Sequence, residues 1–154
     1  MKETARIPKT QGHLRWIEQL VRGEVPPPPS AQLVGFRIVQ IEPGRAVFEL
    51  DAGPQHTNPM GTMHGGILCD LGDAAMGMAM SSTLEDDETF TTIELSAKYF
   101  KPVRTGRLTA VGRAIKRTRS LGALETDITD QAGSLVARLS STCMVLRGEE
   151  AKGR

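Results

Sequence analysis

The chain has 154 residues, with 19 lysines and arginines against 18 aspartates and glutamates. That length suits one domain, expected over 1–154, with a core of useful size, and the near-neutral charge gives no basis for gripping nucleic acid or an anionic membrane. Two cysteines, Cys69 and Cys143, cannot build a disulfide framework, the first residues are polar and charged, and no apolar run spans a bilayer, so a cytoplasmic protein is expected.

Residues 10–23 carry Leu14, Ile17, Leu20 and Val21 at helical spacing, with Trp16 alongside, and predict an amphipathic helix laid on something larger. The run 24–30 contains four consecutive prolines and reads as a stiff extended strap crossing the surface. Two short strands are predicted over 33–41 and 46–50, joined by a Pro43-Gly44 turn. Proline and glycine make 51–63 a loop.

Residues 64–82 then read as one helix, apolar or small on every side, which is the pattern of an element wrapped by the rest of the fold. An acidic turn over 85–88 leads to four further strands. In the first, Ile93, Leu95, Ala97 and Tyr99 share a face. The others are predicted over 107–118, 123–129 and 134–147, with hairpin-length connections that imply antiparallel pairing. The charged tail 148–154 is expected to fray. Helix, two strands, central helix and four strands together make an α+β layout, the sheet curling round the central helix.

That helix carries the chemistry. Its first turn leaves backbone N–H groups unpaired and partly positive, and Gly65 and Gly66 let a substrate oxygen approach them without meeting a side chain. A carbonyl turning into an oxyanion needs such donors; close helix–strand packing would equally well explain the glycines. Asp73, in mid-helix between Gly72 and Ala74, must be paired, protonated or functional if it is buried. Asp70 lies one turn earlier with nothing beyond proximity to single it out.

Gly65 and Asp73 are eight residues apart, about 12 Å along one helix axis. One reacting carbonyl has to sit roughly 3 Å from both donor and attacking group. If both residues act, the site is therefore shared, with Gly65 from one subunit and Asp73 from its two-fold mate. His56, His64 and the aspartates lack a compact ligand spacing, so no metal is expected.

The sequence Asn58-(five residues)-His64-Gly65-Gly66-(six residues)-Asp73-(three residues)-Gly77 resembles the hotdog-fold acyl-CoA thioesterases. The nearer likeness is to the branch with the phenylacetate-pathway thioesterase and the human thioesterase-superfamily acyl-CoA hydrolases. It runs from about Val34 to Leu146 and takes in Tyr99-Phe100-Lys101-Pro102.

The resemblance implies a curved antiparallel sheet of five to six strands around one long helix, with the N-terminal helix as an addition. It implies hydrolysis of an acyl-CoA thioester, with coenzyme A only as part of the substrate and no separate cofactor. Gly65 would polarise the carbonyl, and Asp73 would attack or activate water. Asn58 would position the water or the carbonyl, and His64 would hold the loop and the thioester. A hydroxyl on the strand after the helix would assist the carboxylate: counting back from Pro102 gives Thr92, with Thr91 one residue away, and since a one-residue shift turns the side chain to the other face, only one of the two can serve. Gly66 would lie at the substrate, and Arg117, Arg119 and Ser120, in the basic turn 116–120, would meet the coenzyme A phosphates. Leu68, Leu71, Met76, Met80 and the loop around Met60 would line the acyl pocket. Self-association to a dimer and then a tetramer is implied, with no nucleic acid and no membrane as partner.

Two rival readings stand beside this one. A hotdog dehydratase would need an Asp–His pair after the helix start, and no histidine follows His64. A non-catalytic acyl-CoA binding or sensing protein is the other; keeping Asp73 together with Asn58 argues for catalysis.

Overall fold

In a computed structural model, residues 12–152 are described; positions 10 and 11 of the predicted first helix and 153–154 of the tail lie outside them. The chain runs α1 (His13–Val21), α2 (Pro29–Val34), β1 (Phe36–Glu42), β2 (Arg45–Ala52), a 3-10 turn (Pro54–His56), α3 (Gly65–Ser81), β3 (Glu88–Tyr99), β4 (Gly106–Arg117), β5 (Leu121–Asp130) and β6 (Leu135–Arg147). The tail is ordered into a 3-10 turn at Gly148–Ala151 rather than frayed from residue 148.

One short helix was not anticipated. Pro29 sits at the start of α2, where a missing N–H costs nothing, and Gly35 ends it at φ 89°. The strand predicted from residue 33 therefore begins at Phe36. Proline before and glycine after a six-residue segment is the signal that marks this helix in the sequence.

All strands pair antiparallel, in the order β1-β2-β4-β5-β6-β3. The last four are thus not a simple meander. β3 pairs with β6 at one edge, and the chain then crosses to put β4 beside β2. Residues 100–105 make this crossing, with Pro102 unable to donate to a ladder. On the way the Val103 carbonyl accepts from the Met63 N–H at 2.7 Å, which ties the crossing to the loop before α3.

The sheet curls around α3. Leu68, Leu71, Ala75, Met76, Ala79 and Met80 recur at helical spacing on one buried face and press into the sheet. The helix is not enclosed on every side, contrary to the expectation: Ile67, Asp73, Ala74, Gly77 and Met78 are half-buried and Asp70 is exposed. Small apolar residues on that second face made the helix look uniformly apolar in sequence.

The tightest helix–sheet approach is at Gly112 of β4. A Cβ there would lie 2.3 Å from the Ala75 carbonyl oxygen, which is backbone and cannot rotate away. Gly112→Ala is expected to lose roughly 3 kcal/mol, on the order of 10 °C in Tm for a chain of this size. Thermal unfolding checks this; a Tm within about 2 °C of the parent would contradict the packing.

α1 packs with Trp16 and Ile17 buried. His13 bonds the Glu88 carbonyl at 3.0 Å, joining the N-terminal helix to the start of β3. Glu88 is itself buried between Arg117, at 2.5 Å, and Arg147. Burial pushes its carboxyl up, but the Glu85 N–H and the two guanidinium groups outweigh that and hold it below the usual range.

Candidate active site

α3 begins on a side-chain cap. His64 is extended, and its Nδ1 accepts from the Gly66 N–H at 2.9 Å. That bond occupies Gly66, whereas the Gly65 N–H has no hydrogen-bond partner among the described residues. A Cβ on Gly65 would meet the Tyr99 ring at 3.0 Å. This glycine packs against a strand residue while its N–H stays open.

The loop before the helix is fastened by its own residues. Asn58 Oδ1 accepts from the N–H groups of Met60 (2.9 Å) and Thr62 (3.3 Å), and Asn58 Nδ2 donates to Thr62 Oγ1 at 3.1 Å. Asn58 thus shapes the turn, with one amide hydrogen left over. His56, considered in the sequence only as a metal ligand, is the buried anchor of the loop. Its Nδ1 accepts from the Gly53 N–H at 3.2 Å, so its Nε2 carries the proton and donates to the Val34 carbonyl at 2.8 Å. Its own carbonyl accepts from the His64 N–H at 2.8 Å.

Tyr99 is a second residue that the sequence reading did not single out for the site. From the end of β3 its hydroxyl donates to the Gly65 carbonyl at 3.1 Å and contacts Cys69 Sγ at 3.1 Å. The hydrogen bond with Cys69 and then burial push the phenol up to about 12. No local pattern joins residues 34 positions apart, so only the fold reveals this contact.

Asp73 is half-buried in the middle of α3. Burial, then the negative charge of Asp70, push its carboxyl above the usual range; hydrogen bonding with Thr92 pulls the other way. Thr92 lies opposite Cys143 in the β3–β6 ladder, its hydroxyl 3.7 Å from the Cys143 sulfur. Of the two threonines, Thr92 is thus the neighbour of Asp73, and Thr91 points to the other face of the strand.

The helix is unbroken from Gly65 to Ser81. The open N–H and the carboxylate therefore stand about 12 Å apart along the axis, too far to meet at one atom of one chain.

Beside Asp73 opens a cavity of about 790 Å³ between α3, α2, β1 and the proline run. It touches Asp70, Asp73, Ala74 and Met78 of the helix. Leu68, Leu71, Met76 and Met80, expected to line an acyl pocket, face the sheet and are at most 4% exposed. These four side chains belong to the core. Met60 is exposed on its loop, away from this cavity. The prolines cross the surface as a strap, and Pro26, Pro27 and Pro28 also form one wall of the cavity.

The basic turn divides. Arg117 is engaged by Glu88, whereas Arg119 and Ser120 are exposed.

The sequence profile of the thioesterase superfamily matches residues 60–137, half of the chain, and spans the capped helix start, Asp73 and Thr92. The chain belongs to the thioesterase superfamily. The 1,4-dihydroxy-2-naphthoyl-CoA hydrolase of Listeria monocytogenes is 30% identical over 105 residues, covering 68% of this chain and 85% of that one. Human acyl-coenzyme A thioesterase 13 is 28% identical over 103 residues, covering 66% and 73%. A phenylacetic acid degradation-related protein of Ralstonia eutropha superposes with a TM-score of 0.75 at 29% identity, covering 82% of this chain and 97% of that structure. The fold is the hotdog fold, and this thioesterase-superfamily chain is a thioester hydrolase.

Proposed function

We propose that the chain hydrolyses acyl-CoA thioesters at a site shared by two copies. One observation carries the reading: a single unbroken helix presents an unpartnered Gly65 N–H at its start and a half-buried Asp73 eight residues on. The open N–H polarises the thioester carbonyl and holds the oxyanion. Asp73 of the second copy takes a proton from water as the water oxygen attacks the carbonyl carbon, or attacks that carbon itself to give an anhydride that water then opens. In either case the C–S bond breaks and coenzyme A leaves as the thiolate. Thr92 steadies the carboxylate, and the leftover Asn58 amide hydrogen faces the water or the carbonyl. His64 holds the helix start, and Gly66 keeps that cap in place.

The free edge of β3 supports the pairing of copies. It runs from Glu88 to Tyr99 with no second neighbour in the sheet, and Ile93, Tyr99 and Phe100 are exposed along or just beyond it. A dimer formed across this edge, doubled into a tetramer, is the assembly we propose. Arg119 and Ser120 are free to meet the nucleotide phosphates, while Arg117 would have to leave Glu88 to do so. Both cysteines are free thiols, in keeping with a cytoplasmic location.

Thiol release from a panel of acyl-CoA thioesters tests the activity. Turnover of at least one member, lowered by roughly a hundredfold or more in Asp73→Asn, is expected; tight binding without turnover would make the chain an acyl-CoA binding protein.

A further inference from the structure

The cavity beside Asp73 is too large and too apolar to be only the entrance for water. Its volume of about 790 Å³ falls in the range of about 300–1,000 Å³ that encloses small-molecule ligands. A two-carbon acetyl group would leave most of it empty. Val25, Pro27, Leu33, Phe36, Ala74 and Met78 give it an apolar lining drawn from the strap, α2, β1 and α3. The wall built by the prolines is stiff, because each fixes its own φ.

The polar groups on the lining decide what kind of tail fits. Three are carboxylates: Glu24, Asp70 and Asp73. The one cation, Arg37, already pairs with Glu49 at 2.7 Å and Asp51 at 3.3 Å. Glu24 is paired with Arg22 at 2.6 Å, so the negative charge facing the cavity comes from Asp70 and Asp73, with no free positive charge on the lining opposite them. An acyl tail ending in its own carboxylate would meet like charges in a partly desolvated space, which is unfavourable.

We propose that this cavity receives the acyl group of the substrate and selects bulky, uncharged, apolar acyl groups over acetyl-sized and dicarboxylic ones. The proposal rests on the acyl-CoA hydrolase reading above for the identity of the occupant. The continuity of the cavity with Asp73 is what assigns it to the acyl side of the thioester. On the copy that supplies Asp73, this apolar space opens directly beside the carboxylate, where the acyl tail of a carbonyl held there can enter.

The test compares octanoyl-, benzoyl-, acetyl- and succinyl-CoA on the full chain and on two filled variants, Ala31→Phe from α2 and Met78→Trp from α3, each checked by its melting curve. The parent is expected to favour octanoyl- and benzoyl-CoA over acetyl-CoA by at least tenfold in kcat/KM, and over succinyl-CoA by more. In whichever filled variant folds, the octanoyl-to-acetyl ratio should fall at least tenfold. Calorimetric titration of Asp73→Asn with octanoyl- and acetyl-CoA reads the cavity without turnover, and octanoyl-CoA should bind at least tenfold more tightly. Equal affinities there, or a preference that survives filling from both elements, would overturn the cavity assignment while leaving hydrolysis intact. Tight octanoyl-CoA binding with no turnover of any thioester by the parent would instead overturn the hydrolase reading and keep the cavity.

Discussion

Asp73→Asn is expected to lower kcat by roughly 10²–10⁴-fold, the scale of a lost general base, and by at least as much if the carboxylate is the nucleophile. The fold should not suffer. Burial and then the charge of Asp70 raise the Asp73 carboxyl above its ordinary value in the folded chain, Thr92 opposing them. The stability that Asp73 contributes is therefore fully present below its unfolded value of about 3.9 and is lost as pH rises through the folded value. At neutral pH the ionised group opposes folding. The asparagine variant should melt at or above the parent temperature at pH 7, and this advantage should shrink in acid. Activity runs the opposite way, since attack needs the ionised form: kcat/KM should fall on the acid side through the raised Asp73 value. Removing the neighbouring charge with Asp70→Asn should move that limb to lower pH. Melting temperature and a pH–rate profile check both statements, and an asparagine variant that melts well below the parent at pH 7 would mean that Asp73 is structural.

The second large effect is at the helix start. Gly65→Pro removes one atom that matters, the N–H hydrogen, and is expected to lower kcat by roughly 10²–10³-fold, the scale of one lost oxyanion donor. The backbone accepts the change. Proline is favoured at the first helical position, and His64, at φ −65° and ψ 133°, already has the extended conformation that precedes a proline. Gly65→Ala is the control, because it adds the same Cβ against Tyr99 but keeps the N–H. Steady-state kinetics should show alanine retaining most of the activity lost by proline. Equal losses would mean that the contact with Tyr99, not the donor, requires the glycine.

Much of this site could be read from the chain because it is local. The capped start, the spacing from Gly65 to Asp73 and the resulting need for a second copy all lie on one helix, whose period converts sequence distance into ångströms. The strand carrying Thr92 was legible as a strand, ended by the break at Pro102, but plain alternation puts Thr91 on the face of Tyr99, and the register shift between Thr92 and Glu94 is what brings Thr92 to Asp73. What the sequence hid depends on contacts between distant segments. Tyr99 reaches the Gly65 carbonyl only after the sheet has curled, and His56 reaches Val34 across 22 residues. The direction of α3 was hidden for a different reason. Leu71 and Met78 look equally apolar in a sequence, yet one is sealed against the sheet and the other borders a cavity. The strand order was hidden too, because β3 and β4, joined by a connection of hairpin length, do not pair but have β5 and β6 between them.

Mixed dimers test the shared site most directly. Gly65→Pro and Asp73→Asn chains carrying different affinity tags can be co-expressed, and dimers holding one of each isolated by tandem purification. In such a dimer one site combines the intact Gly65 of the asparagine chain with the intact Asp73 of the proline chain, and the other site lacks both. Recovery to about half the parent kcat per dimer is the predicted result. Mixed dimers as inactive as either variant alone would contradict a site built from two copies.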